Sequence, residues 1–242
     1  GPISALNTNA LKTSDFYSGA FPAEYGNATA AVFDISFRAG NTNKHERTLQ
    51  VNLFSGLEVM LEGPLNKKKN GASYLAGYRY SLVQIGQSHG LDVGTAAVPK
   101  YQDWVYHIQL APSKAGKFSF FGMGGKSNID FIGQEIDTTD FYSRKDQDSY
   151  FSNRLLMFGA KHSIDLGKKT YWRTVVSYSN TKSDFETYQY ALPVPPYGTA
   201  WKVTDVLDQQ DVIRFSSLLN SKTSVKFSWR AGLTGESFGL DT

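Results

Sequence analysis

The chain has 242 residues, no cysteine and a net charge of +3, which leaves room for one large domain or two small ones and excludes disulfides, thiolate catalysis and zinc–thiolate sites. Its mean hydropathy is -0.35, and no run approaches the ~20 apolar residues of a spanning helix, so a membrane role would have to pass through strands. The basic residues are scattered rather than striped, which argues against nucleic acid as a partner.

The first forty residues are compositionally mixed. Ser14-Asp15 reads as a helix boundary. After Gly19-Ala20-Phe21-Pro22-Ala23-Glu24-Tyr25-Gly26-Asn27 come small residues, then a strand from Val32 to Arg38, ended by Ala39-Gly40-Asn41. This is compact α+β material.

From His45 the pattern changes to alternating strands. Leu49, Val51 and Leu53 alternate with Thr48, Gln50 and Asn52; Leu57, Val59 and Leu61 with Glu58 and Glu62. Tyr74, Ala76, Tyr78 and Tyr80 share one face, as do Trp104, Tyr106, Ile108 and Leu110. Phe118–Gly125, Tyr150–Ile164, Tyr171–Thr181 and Val212–Leu219 read as further strands, and Val225, Phe227, Trp229, Ala231 and Leu233 line one face of a last one. Period two with one apolar face is the strand signature, and the count after residue 44 is about nine.

The connections alternate in length. Residues 66–71, 113–116, 165–169 and 220–223 read as short polar turns, and 83–100, 127–146 and 183–209 as long links. Outer-membrane barrels have this asymmetry, with short periplasmic turns and long outer loops. Tyr171-Trp172, Tyr101 with Trp104, and Tyr188 with Tyr190 stand where an aromatic interface belt would run.

The stretch from Phe21 to Arg38 resembles the end of the plug domain of TonB-dependent receptors: a Pro, a short gap, Tyr25-Gly26, small residues, then a strand entering the barrel. Ala30-Ala31 and Phe37-Arg38 stand where that family usually shows Gly-Gly and Thr-Lys. Glu62-Gly63-Pro64-Leu65, Ser73-Tyr74-Leu75 and Tyr78-Arg79-Tyr80-Ser81 look like the opening strands of the receptors typical of Bacteroidetes. The resemblance implies an antiparallel transmembrane β-barrel portion at 41–242, open as a fragment, preceded at 1–40 by the C-terminal part of an α+β plug. It also implies energy-dependent import of a scarce nutrient (siderophore, cobalamin, peptide or glycan) across the outer membrane of a Gram-negative bacterium. Outer-membrane lipid, a small solute, and the TonB complex, reached through a segment absent from this chain, are the implied partners. At roughly 22 residues per strand, a 22-stranded plugged transporter would need roughly 480 residues for its barrel, so the chain reads as incomplete, with bare edges near Leu49–Leu53 and Val225–Leu233. A complete small barrel and a soluble β-rich binding or adhesion domain are the alternative readings.

Enzymatic chemistry finds little support. Gly124-Gly125-Lys126-Ser127 lacks the upstream Gly of a phosphate loop, Phe120 standing there. No Gly-x-Ser-x-Gly elbow occurs. His45, His89, His107 and His162 have no ligand spacing, and Asp130, Glu135, Asp137 and Asp140 lack the pattern of a calcium loop. We expect no enzyme, cofactor or metal. The informative residues are charges and polar groups on the strands' polar faces, where they must meet water or a partner: Glu58, Glu62, Arg79, His107, Gln109, Arg173, Arg214, Lys226 and Arg230. Glu58 and Glu62, with Arg38, are the candidate plug–barrel contacts. Arg79, His107, Arg173, Arg214 and Arg230 are the candidate solute contacts.

Overall fold

The computed structural model describes residues 7–12, 14–19, 22, 25, 30–52, 56–67, 71–83, 99–133, 144–192 and 198–241. The protein is mainly β. Nine strands form one antiparallel sheet: β3 (Glu46–Asn52), β4 (Gly56–Pro64), β5 (Ser73–Tyr80), β6 (Lys100–Gln109), β7 (Lys117–Ile132), β8 (Gln147–Asp165), β9 (Thr170–Tyr190), β10 (Ala200–Ser221) and β11 (Trp229–Asp241). Each pairs with its sequence neighbour, in the order β11-β10-β9-β8-β7-β6-β5-β4-β3. The sheet does not close: β3 and β11 are its edges, so the reading as a complete small barrel finds no seam to rest on.

Because every neighbour is antiparallel, successive connections fall at opposite ends. The strand termini flanking 65–72, 110–116, 166–169 and 222–228 share one end, here the turn end. The strand termini flanking 53–55, 81–99, 133–146 and 191–199 share the other, far end.

Two strands, β1 (Asp15–Tyr17) and β2 (Val32–Asp34), form a separate two-stranded sheet. Asp15 therefore enters a strand rather than a helix, and the expected strand Val32–Arg38 shortens to three residues plus an isolated bridge between Phe37 and Leu11. A 3-10 turn at Thr8–Ala10 starts at Asn7, whose side chain accepts from the Asn9 N–H, the usual capping role of Asn.

Register assigns the faces. On β4 to β6, Glu58, Met60, Glu62, Ser73, Leu75, Arg79, Tyr101, Asp103 and Val105 are buried, while Val59, Leu61, Tyr78 and Tyr80 on the opposite face are exposed. The buried side is covered by the N-terminal segment. Ala10 packs there with Met60, Leu75, Val105 and Met123, flanked by Phe37, Leu155 and Met157. We call this the inner face. Gly40 lets the segment leave it: a Cβ there would stand 1.9 Å from the Tyr74 carbonyl oxygen.

The strands depart from the sequence reading at the far end. Residues 127–132 continue β7, and 183–190 pair with 200–208 in a continued β9–β10 ladder, interrupted by one irregularity between Lys202 and Thr204. The 183–209 link is thus largely strand and the 127–146 link begins as strand, while most of 83–100 lies outside the described residues. Both faces of this extension carry polar residues, so the alternation that reveals a strand is missing there. At the other end, Val225 and Phe227 lie in the 222–228 link, where the Ser224 hydroxyl accepts from the Phe227 N–H at 3.0 Å and the Ser224 N–H donates to the Phe227 carbonyl at 3.1 Å. Such local Ser bonds offer the backbone a turn in place of a ladder.

Candidate functional site: the inner face under the N-terminal segment

Arg38 is the centre of this contact. Its Nη1 donates to Glu62 Oε2 at 2.7 Å and its Nη2 to Oε1 at 2.7 Å, a fork-to-fork pair of the strong charge-assisted type. Its Nε donates to the Asn9 carbonyl at 2.7 Å. Glu62 also accepts from the Asn41 N–H at 2.8 Å. The hydrogen bond to Glu62 raises the Arg38 pKa further above its ordinary value, so the guanidinium stays charged throughout the accessible pH range.

Two more contacts tie the segment to the strands. Asn9 Nδ2 donates to Glu58 Oε1 at 2.9 Å and to Gln50 Oε1 at 3.2 Å. His107 Nδ1 lies 2.8 Å from the Arg38 carbonyl oxygen; since a carbonyl only accepts, this bond requires the proton on Nδ1. Within the segment itself, backbone bonds run from the Arg38 N–H to the Ala10 carbonyl and from the Lys12 N–H to the Ser36 carbonyl. The structure thus brings Glu58, Glu62, Arg38 and His107 into one contact.

Arg79 lies on the same face with a different partner. Its Nε and Nη2 both reach Asp103 Oδ2, at 2.9 and 2.8 Å, and its guanidinium stands over the Tyr101 ring at 5.4 Å. The ion pair is almost wholly out of water, with side chains 9% and 7% exposed. Tyr101 is consequently an inner-face residue, not part of an outer belt, and by register Tyr171 also lies on the inner face while Trp104 and Trp172 lie on the other.

The remaining candidates are dispersed. Arg173 lines a hollow near the turn end with Lys117, Lys161, Ser163, Asp165 and Tyr171. Arg214 Nε donates to Glu236 Oε1 at 2.9 Å, and Arg230 Nε donates to Asn220 Oδ1 at 2.6 Å. Both are exposed on the inner side of β10 and β11. Lys226 lies in the 222–228 link, not on a strand face. Gln109 Nε2 donates to the Gly71 carbonyl at 3.1 Å. Among the described residues, no single cavity gathers the five candidate solute contacts.

Of the acidic set, Asp130 lies on β7 and pairs with Lys100 at 3.3 Å; Glu135, Asp137 and Asp140 lie outside the described residues, as does His89. A grouping invisible to linear spacing is that of Asp184, Glu186 and Asp205, which the β9–β10 register brings together. Lys202 bridges Glu186 at 2.8 Å and Asp205 at 3.0 Å. Beside it, a hydrogen bond from Gln189 holds the Asp146 carboxyl below its ordinary pKa.

The other face is the inverse of the inner one. Leu49 and Val51 on β3, Val59 and Leu61 on β4, Tyr78 and Tyr80 on β5, Phe118 and Phe120 on β7, Phe158 on β8, Trp172 and Val176 on β9, Ile213 and Phe215 on β10, and Leu233 on β11 are all exposed there. On β8 the stretch of this face from Ile164 to Leu156, apolar except for His162, covers about 27 Å along the strand, or about 21 Å for one tilted by about 40°. Farther along, the same face turns polar at Arg154 and Ser152.

Compared with protein-family models, with curated protein sequences and with solved structures, the chain matches none.

Proposed function

We propose that the chain is part of a TonB-dependent outer-membrane transporter, with residues 1–40 ending the plug and 41–242 supplying the first strands of the barrel. On this reading the whole protein imports a scarce nutrient of the siderophore, cobalamin, peptide or glycan class. One observation carries it: the covered inner face buries charged pairs beside a small apolar core, while the bare face is a continuous band of exposed apolar side chains over the lower part of the strands. In water this arrangement would leave an apolar patch far beyond what a soluble monomer exposes. In a bilayer it is the ordinary arrangement, with an apolar band outward and charges meeting a plug or water inside. The family reading adds the resemblance of Phe21–Arg38 to a plug end, and the fork between Arg38 and Glu62 suits a plug held in place.

The test has two parts. Cells producing the protein are labelled with a membrane-impermeant thiol reagent after introducing cysteine at Leu192 or at Lys168. Leu192 should label in intact cells and Lys168 only after lysis; labelling of Lys168 in intact cells overturns the orientation. Uptake of radiolabelled ferric siderophores, cobalamin, peptides and oligosaccharides is then compared with a deletion strain. Loss of one uptake activity, abolished equally by a protonophore, supports energy-dependent transport. Unchanged uptake of every class overturns it.

A further inference from the structure

On the bare face, the ladder places three cations side by side at one height. Lys126 on β7 pairs with Arg154 on β8, and Arg154 pairs with Lys182 on β9. Gln102 and Gln209 continue the row on either side. Directly opposite like charges destabilise a sheet unless something compensates them. Among the described residues, none of the three forms an ion pair; Arg154 donates to Asn180 Oδ1 at 3.0 Å. Two carboxylates on this face flank the row: Asp211, which accepts from Tyr178 at 2.5 Å and from Asn180 at 2.9 Å and also attracts Arg154, and Asp184, two residues from Lys182 along β9 and close to Glu186 and Asp205. Two carboxylates beside three cations leave the row positive.

The row stands where the apolar band ends. One step toward the turn end, about 7 Å along the strands, the same face carries Trp104, Gly124 and Leu156. Trp104 and Tyr106 stack at 5.8 Å and 10°. Their rings lie against the sheet over Gly122 and Gly124 of β7: a Cβ on Gly124 would come 2.7 Å from the Trp104 ring, and one on Gly122 2.5 Å from the Tyr106 ring. The result is a flat aromatic shelf immediately below Lys126.

We infer that Lys126, Arg154 and Lys182 bind the phosphate group of a membrane lipid whose acyl chains lie on the Trp104–Tyr106 shelf and the Leu156–Phe158 face. The inference rests on the membrane reading above and adds lipid selectivity to it. Charge complementarity selects the occupant. A phosphate anion offsets the excess of cations over carboxylates in the row, and an apolar tail covers the shelf beneath it, which a free anion does not supply. A cation beside an anionic membrane surface gains about fivefold in affinity, so the row should enrich such a lipid by at least about fivefold over a zwitterionic one.

The test uses the protein reconstituted in phosphatidylcholine bilayers doped with brominated phosphatidic acid or brominated phosphatidylcholine, read by quenching of tryptophan fluorescence. The part lost on Trp104→Phe reports the shelf. Brominated phosphatidic acid should quench that part more strongly, and the preference should vanish in the Lys126→Gln, Arg154→Gln, Lys182→Gln triple variant. It should persist in a Lys168→Gln, Lys222→Gln control at the turn end. Quenching by brominated phosphatidylcholine should be unchanged in the triple variant, which shows that the sheet still inserts. Equal quenching by both lipids in the parent, or an undiminished preference in the triple variant, overturns the proposal. Full competition by inorganic phosphate overturns the assignment to a lipid. Absence of quenching by either lipid overturns the membrane reading itself, and the lipid site with it.

Discussion

Strands β8, β9 and β10 behave differently on the two sides of the row formed by Lys126, Arg154 and Lys182. Toward the turn end, one face presents Phe158, Val176, Ile213 and Phe215 while the other carries Ser177, Arg214 and Ser216. Toward the far end, both faces are rich in polar groups, and Lys202, Glu186 and Asp205 meet on the side that was apolar below. The ladder runs through both regions with a single irregularity between Lys202 and Thr204, so backbone pairing does little to distinguish them; the surroundings each face is suited to do. The lower region suits one apolar and one polar neighbour, and the upper region suits water on both sides.

The comparison can be broken in several ways. The largest effect is expected within the lower region, on the inner face. Arg79→Ala leaves Asp103 buried without its partner and should cost about 3–5 kcal/mol, measured by denaturant unfolding in detergent micelles. Because the cost comes from the stranded charge, Arg79→Met combined with Asp103→Leu should recover most of it. A double variant as unstable as the single one would show that the pair does more than neutralise itself.

Next in size is a charge placed on the bare face. Phe158→Arg, near mid-height of the apolar stretch, should cost about 2–4 kcal/mol in a bilayer. Ser152→Arg, on the same face of the same strand beyond the row, should change stability by less than about 0.5 kcal/mol. Equal costs at both positions would remove the distinction between the two regions.

Arg38→Ala should cost about 2 kcal/mol, the scale of hydrogen bonds to a charged group. Its signature is local: hydrogen exchange should quicken at 36–41 and at Ala10 and leave β9–β11 as it was. Uniform quickening would mean that the N-terminal segment and the sheet unfold as one unit.

The smallest effect concerns the upper region. Asp146 accepts from Gln189 Nε2 at 2.8 Å, and its pKa is lowered. The stabilisation is therefore present above the ordinary carboxylate range and lost as pH falls through the lowered value. Exchange of the Tyr190 N–H, which donates to the Asp146 carbonyl at 2.8 Å, should accelerate on acidification in the parent and be insensitive to pH in Asp146→Asn, once the intrinsic dependence is removed. Equal acceleration in both would assign the effect to another group.

Sequence by itself determined the strands of the lower region, their faces and the open edges. Leu57-Glu58-Val59 and Tyr78-Arg79-Tyr80 each declare which side meets an apolar phase, because period-two alternation is a local property of a half-apolar strand. The same rule failed where its premise failed. Residues 183–190 and 200–208 mix polar and apolar residues on both faces, so no alternation separates their ladder from a loop, and only pairing with a neighbouring strand decides it. Val225 and Phe227 continued an alternation that the Ser224 turn interrupts, since a single side-chain bond can outweigh a pattern at a strand end. Glu58, Glu62 and Arg79 were legible as polar-face residues, yet their partners were not. That Arg79 meets Asp103 and Glu62 meets Arg38 depends on register and on how a segment from far along the chain is laid across the sheet. The row of Lys126, Arg154 and Lys182 is the extreme case: 28 residues separate each cation from the next, and only the antiparallel register brings the three to one height.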